Sequence, residues 1–248
     1  MAPNGPGPIA LVGSGEYLPV MDEVDRGLLH GRPPRMVQLA TAAAPEGPRS
    51  LRYWHDLGAA SARRLGVEQV VVPVVDRTTA DDPELARLVD GAGLVYLSGG
   101  SPPFLAATLR GTRVWEAIAA AWRAGAALAG CSAGAMALTA HVPDPRHPTR
   151  DAEPGLGAVP HLRVLPHFDR FARRLPAAAL RRLVEAPGGV TVLGIDEDTA
   201  LVGGPEHWEV QGRQAVWTLQ GDGRERHPAG STLTIPAGAA GRGATPLS

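Results

Sequence analysis

A chain of 248 residues, 44% of them apolar and 20% charged, has the composition of a globular protein and can bury a substantial core. Its net charge of −1 leaves no footprint for a nucleic acid or an anionic membrane surface. All 24 basic residues are Arg, which excludes a lysine Schiff base, a pyridoxal-phosphate lysine and a P-loop lysine, and a single Cys excludes an intramolecular disulfide or a cysteine zinc cluster.

Residues 1–8 are rich in Pro and Gly and carry no basic segment followed by an apolar run, so they read as a loose tail rather than a secretory signal, and a cytoplasmic location is expected. The first strand is expected at 9–12, followed by the glycine turn Gly13-Ser14-Gly15-Glu16 and a helix over about 20–29. A dinucleotide-binding fingerprint would require Gly where Leu18 stands, so the turn is not read as one. Next come a strand at 36–40, an amphipathic helix at 51–65, a strand at 69–75 and a helix around 83–90. The fourth strand, 94–97, ends in Ser98-Gly99-Gly100-Ser101-Pro102-Pro103, and helical runs follow to 109 and over 113–124. Continuous apolar strands alternating with helices indicate βαβ units whose strands are buried on both faces.

The fifth strand runs into Leu128-Ala129-Gly130-Cys131-Ser132-Ala133-Gly134-Ala135-Met136, a Gly-x-Ser-x-Gly between an apolar run and an Ala-rich, helix-like run. That is the composition of a nucleophile elbow, a sharp strand-to-helix turn that exposes the Ser hydroxyl. Glycines two residues to either side of Ser132 leave room for strand and helix to close on each other, and unpaired N–H groups at the helix start can stabilise an oxyanion. The symmetry of the glycines about Ser132 directs Cys131 elsewhere, as a buried and inert thiol.

Residues 141–157 dissolve into Pro, His, Asp and Arg and read as a long loop in the position of a lid, with prolines and loose spacing against a metal site at His141, Asp144 and His147. A strand over 162–168 carries His167 near its end, a helix over 170–185 follows, and a strand over 190–195 ends in Asp196-Glu197-Asp198. From 200 onward short antiparallel strands are expected at the sheet edge, with about 238–248 as a second loose tail. The expected fold class is α/β, a doubly wound, mostly parallel sheet flanked by helices with short antiparallel strands near the C-terminus, in one domain over 1–248.

A nucleophilic Ser needs a base, and the base needs an acid that fixes its tautomer and stabilises the imidazolium. Ser132, His167 and Glu197 each stand at the expected carboxyl end of a core strand, where a doubly wound sheet gathers ligand-binding groups along one edge. For the third member Asp169, Asp196 and Asp198 compete with Glu197. Strand alternation would set Glu197 on the face opposite Asp196 and Asp198, and Asp169 is expected as the N-cap of the helix that starts near Arg170.

Gly130-Cys131-Ser132-Ala133-Gly134-Ala135 resembles the elbow of the cyanophycinase and dipeptidase E family of serine peptidases, a branch of the class I glutamine amidotransferase-like fold. The resemblance covers most of the chain. Gly13-Ser14-Gly15-Glu16 is similar to the family's first glycine turn, Ser98-Gly99-Gly100 to its oxyanion turn, Pro166-His167-Phe168 to its catalytic-His segment, and Gly194-Ile195-Asp196-Glu197-Asp198-Thr199-Ala200-Leu201 to the segment bearing its acid. It implies Ser132 as nucleophile, His167 as base, Glu197 as its partner, and the N–H groups of Gly100 and Ala133 as the oxyanion hole. Gly99, Ser101 and Arg170 are candidate substrate contacts. The family's Gln or Asn after the glycine pair is replaced by Ser101-Pro102-Pro103, and Arg170, Arg173 and Arg174 match only part of the Arg-rich segment after the cyanophycinase His.

The expected activity is hydrolysis of a peptide or isopeptide bond next to an aspartyl residue through an acyl-enzyme, with a small peptide as substrate and no cofactor, metal, nucleic acid or membrane partner. A homodimer is left open. The alternative is a catalytically silent binding or regulatory protein on the same scaffold. Amidotransferase chemistry uses Cys, and the elbow position here holds Ser.

Overall fold

The computed structural model describes residues 5–143, 152–171, 188–221 and 223–237. The first half follows the expected alternation: β1 (Ile9–Val12), α1 (Asp22–Leu29), β2 (Arg35–Leu39), α2 (Pro48–Leu65), β3 (Glu68–Val71), the short helices α3 (Arg77–Ala80) and α4 (Pro83–Arg87), β4 (Leu94–Leu97), α5 (Pro102–Leu109) and α6 (Arg113–Arg123). Then come β5 (Ala127–Cys131), α7 (Ala133–Ala137), the two-residue strands β6 (His141–Val142) and β7 (Glu153–Pro154), β8 (Leu162–Leu165), α8 (Phe168–Phe171) and β9 (Thr191–Ile195). Five antiparallel strands close the chain: β10 (Thr199–Gly203), β11 (His207–Gly212), β12 (Ala215–Gln220), β13 (Gly223–Pro228) and β14 (Thr232–Thr234).

Eight strands form the large sheet in the order β14-β11-β10-β1-β5-β4-β2-β3. The five from β1 to β3 are parallel, and β10, β11 and β14 extend the sheet antiparallel beyond β1. β1, β4 and β5 are buried along their whole length, which is why they carry unbroken apolar runs. Because strand side chains alternate, each strand feeds two cores. Leu11, Leu39, Val95 and Leu128 pack under α5, α6 and α7, while Val12, Met36, Tyr96 and Ala129 pack under α1 and α2. The helices obey the matching period: α6 buries Val114, Trp115, Ile118 and Ala119 as one stripe.

The second half departs from the expected single sheet. β8, β9, β12 and β13 form a separate four-stranded sheet in the order β13-β12-β9-β8, so of the described strands from 199 onward β10, β11 and β14 join the large one. One face of the small sheet, with Val164, Leu193, Ile195 and Val216, joins the core beneath α5 to α7. The other face holds Leu165, Phe168, Val192 and Leu219. Gly7 is bonded at both ends to Trp122, its N–H to the carbonyl at 2.9 Å and its carbonyl to the indole N–H at 2.8 Å, so the anchored chain starts before Pro8. Residues 238–248, most of the expected 170–185 helix and residues 144–151 of the expected lid lie outside the described residues. Among the described residues no helix is long and apolar enough to cross a membrane.

α1 buries a carboxyl group. Asp25 is 1% exposed, and one of its oxygens has no hydrogen-bond partner among the described residues. Burial and then the nearby Asp22 carboxylate raise its pKa to about 7, while Arg64 opposes the shift. The folded protein therefore holds a proton that the unfolded chain releases, and the associated stability is lost as pH rises from the ordinary carboxylate range to about 7. Asp25→Asn is expected to gain on the wild type by up to about 4 kcal/mol between roughly pH 4 and pH 8. Urea unfolding at the two pH values measures this, and a difference independent of pH would show that Asp25 does not titrate as stated.

Candidate active site

Register places the site. Val12 lies opposite Cys131 in the parallel β1 and β5 pair, and Leu97 lies opposite Gly130 in the β4 and β5 pair. The turns after β1 and β4 therefore flank the turn after β5, at the carboxyl edge of the large sheet. Leu165 opposite Gly194 brings the ends of β8 and β9 together. The antiparallel pairing of Val12 with Ala200 sets the start of β10, just after Glu197, beside the same edge.

Ser132 has φ 49° and ψ −104°, the strained turn expected of an elbow. The glycines around it have steric reasons, one of them differing from the expectation. A Cβ on Gly130 would lie 2.5 Å from the Gly134 carbonyl carbon, which is the close strand-to-helix approach. A Cβ on Gly134 would lie 2.3 Å from the carbonyl oxygen of Leu97, so this glycine makes room for the neighbouring strand β4 rather than for its own. Only five residues form α7, so the backbone N–H groups of its first turn, rather than a long helix dipole, supply the positive field there.

His167 Nε2 lies 3.1 Å from Ser132 Oγ and His167 Nδ1 lies 3.0 Å from Glu197 Oε1. With its proton on Nδ1, the imidazole donates to Glu197 and accepts from the Ser132 hydroxyl. The three groups come from two sheets, Ser132 from the large one and His167 and Glu197 from the small one. Phe168 fixes the His segment: its ring lies flat over Gly194, where a Cβ would come within 2.4 Å of the ring, and 5.9 Å from the Trp217 ring centroid.

The rival acids are each engaged elsewhere. Trp217 Nε1 donates to both oxygens of Asp196, at 3.0 and 3.1 Å, and burial raises the Asp196 carboxyl pKa. Asp198 has φ 54° and lies 3.7 Å from Arg213. The separation of these side chains does not come from strand alternation as expected, because β9 ends at Ile195 and the acids occupy the turn beyond it. Asp169 is not the N-cap, since α8 begins at Phe168. Its Oδ1 accepts the backbone N–H of Glu197 at 2.9 Å, and its Oδ2 accepts from Gln214 Nε2 at 3.4 Å. Gln214 also donates to the Glu197 carbonyl at 2.9 Å. Asp169 and Gln214 thus hold the backbone of Glu197, a role that local sequence patterns do not reveal.

Arg170 donates through Nε to Glu197 Oε2 at 2.7 Å, and its side chain is 67% exposed. The N–H of Gly99 is taken by Glu16 Oε1 at 3.0 Å, so of the glycine pair only Gly100 offers an N–H to a ligand. Gly100 has φ 139°, and a Cβ there would lie 2.3 Å from the Ala42 carbonyl oxygen. Ser101 is half-buried at the start of α5, with no capping bond from its hydroxyl. Cys131 is fully buried, donates to Glu16 Oε2 at 2.7 Å, and has its thiol pKa pushed up by burial. Asp144, His147, Arg173 and Arg174 lie outside the described residues, and among the described residues no group of three His, Cys, Asp or Glu could hold a metal ion.

The fold is a helix-flanked, mostly parallel α/β sheet, and the protein is a serine-type peptidase. The description of peptidase family S51 matches residues 51–209, more than half of the chain, and the chain belongs to that family, the family of cyanophycinase and dipeptidase E. A crystal structure of a peptidase from an acI-B1 actinobacterium is 40% identical and superposes with a TM-score of 0.86, covering 93% of this chain and 98% of that one. A crystal structure of a putative peptidase E protein from Listeria monocytogenes EGD-e, 16% identical with a TM-score of 0.54, covers 90% of this chain and 98% of its own and shares the fold. Comparison with curated proteins returns no match.

Ser132→Ala is expected to abolish covalent labelling by a fluorophosphonate, whereas Cys131→Ser, which keeps a donor to Glu16, should still label at Ser132. Equal loss in both would remove Ser132 from the reactive position. Glu197→Gln should slow labelling by about two to four orders of magnitude, because an amide can donate to Nδ1 and turn the Nε2 proton toward Ser132. Asp169→Asn keeps an acceptor for the Glu197 N–H and should cost less than about tenfold. The reverse order of these two variants would assign the acid to Asp169.

Proposed function

We propose that Ser132, His167 and Glu197 form the catalytic triad of this peptidase and that it cleaves a peptide or isopeptide bond next to an aspartyl residue through an acyl-enzyme. The observation that carries the reading is the hydrogen-bonded chain from Ser132 Oγ through the imidazole to Glu197 Oε1. In the first step Ser132 Oγ attacks the scissile carbonyl carbon while Nε2 takes its proton, and the Glu197 carboxylate stabilises the imidazolium. The carbonyl oxygen, now negative, accepts from the N–H groups of Gly100 and Ala133. Collapse of the tetrahedral intermediate breaks the C–N bond, and the leaving amine takes the proton from Nε2. Water then attacks the acyl-Ser132 ester by the same route, and the acid product leaves.

Arg170 supports the acidic specificity. Its Nε donates to Glu197 Oε2 and its side chain is 67% exposed, so in this reading its terminal nitrogens serve as a carboxylate fork beside the triad. A screen of Asp-X and β-aspartyl dipeptides against their Asn counterparts tests this. The wild type should prefer the Asp series, and Arg170→Gln should lower kcat/KM for Asp substrates by about tenfold to a hundredfold, reducing the preference over Asn. An unchanged preference in Arg170→Gln would remove Arg170 as the specificity residue, and no cleavage of either Asp series would remove the aspartyl specificity itself.

A further inference from the structure

We propose that Glu16 is a positioning residue that sets the turn bearing the Gly100 N–H against the nucleophile elbow, an inference that rests on the reading of Gly100 and Ala133 as oxyanion donors. The need for such a residue follows from the topology. β1 and β4 lie on opposite sides of β5 and do not pair with each other, so backbone hydrogen bonds join neither of their end turns to the other. The Glu16 side chain crosses that gap. Its Oε1 accepts the Gly99 N–H at 3.0 Å and its Oε2 accepts from the Cys131 thiol at 2.7 Å, so one carboxylate bridges the turns after β1 and β4 and the last residue of β5.

The contact is close to the reacting atoms. A Cβ on Gly99 would lie 3.0 Å from Glu16 Oε1 and 3.7 Å from Ser132 Cβ, so Gly99 sits between the carboxylate and the nucleophile. Holding the Gly99 N–H limits rotation about Gly99 and hence the direction of the Gly100 N–H. From the other side the Ser101 N–H donates to the Ala42 carbonyl at 2.8 Å, which pins the far end of the same turn. Oxyanion donors work only within a few tenths of an ångström of their ideal distance, so a turn pinned at both ends is what the chemistry requires.

Glu16 is itself held. Tyr17, the next residue, places its hydroxyl 2.9 Å from Ser98 Oγ, so two consecutive side chains grip Ser98 and Gly99. Tyr17 has φ 63°, unusual for a non-glycine residue. Its carbonyl accepts from Arg64 Nη2 at 2.6 Å, and Arg64 also donates to both oxygens of Asp22. Glu16 is only 5% exposed, and among the described residues no cation lies within ion-pair distance of it. A buried carboxylate without a cation is costly to the fold, so its place here is better accounted for by the geometry it imposes than by stability.

The test uses fluorophosphonate labelling of the full-length protein, with the rate constant and the final labelled fraction measured separately. Glu16→Ala should label at least tenfold more slowly at saturating reagent, with the reagent concentration at half-maximal rate unchanged and the pH dependence of the rate kept. The final labelled fraction should remain complete, whereas a partly misfolded population would lower that fraction instead. Glu16→Gln keeps an acceptor of the same length for Gly99 and should stay within about threefold of the wild type. Glu16→Asp, one methylene shorter, cannot reach both partners and should be slow, which preserves the contrast with Gln should the Ala variant not fold. Wild-type labelling at Ser132 together with wild-type rates in Glu16→Ala or Glu16→Asp would overturn this proposal alone, as would a Gln variant as slow as Asp. Failure of the wild type to label at Ser132 would overturn the nucleophile reading and this one with it.

Discussion

The close approach of α7 to β5 and β4 is the constraint on which the site depends. With Gly130 facing Gly134 and Gly134 facing the Leu97 carbonyl, helix and strands meet with no side chain between them. The chain must reverse direction in the few atoms between Cys131 and Ala133, and the single residue that takes the strain is Ser132. Larger residues at either glycine would push the helix away and let that turn relax. The strained backbone of Ser132 and its place at the start of α7 are thus two results of one steric condition.

Among the described residues, backbone strain gathers around this site. The non-glycine positions with positive φ among them are Tyr17, Ser132, His167 and Asp198, and all four lie in the turns that surround the site. Each is held by contacts from outside its own segment: Tyr17 by Arg64 and Ser98, Ser132 by the packing of α7, and His167 by its hydrogen bonds to Ser132 and Glu197. Asp198 packs against Gly15 of the turn after β1, where an added Cβ would meet the Asp198 carboxylate at 2.6 Å. A conformation of this kind costs of order 1–3 kcal/mol and persists only where the surroundings fix it from several directions.

Because Ser132 and His167 ride on different sheets, the distance between them is set by how the small sheet packs on the large one. Val164, Leu193, Ile195 and Val216 lie in the same apolar core as Leu11, Leu97 and Leu128. That shared core makes the hydrogen bond between the two halves a consequence of side-chain packing. The polar contacts around it act at shorter range. Asp169 and Gln214 fix the backbone of Glu197, Arg170 fixes one of its oxygens, and the other oxygen is left to the imidazole.

Much of this was legible in the sequence because it is local. The strands at 9–12 and 94–97 and the elbow at Ser132 are written in short apolar runs and glycine spacing, and the helices of the first half follow from their periodicity. Ser132, His167 and Glu197 were readable as strand-end residues of matching chemistry. What the sequence could not determine is pairing between distant segments, since a strand of alternating or apolar character carries no label for its neighbour. The split into two sheets, the placing of His167 on the second of them, and the assignment of Asp196 to Trp217 and of Asp169 to the Glu197 backbone were decided by tertiary packing alone. Glu16 shows the limit most clearly: its neighbours Gly99 and Cys131 are 83 and 115 residues away along the chain, and only the order of strands in the sheet brings them to one carboxylate.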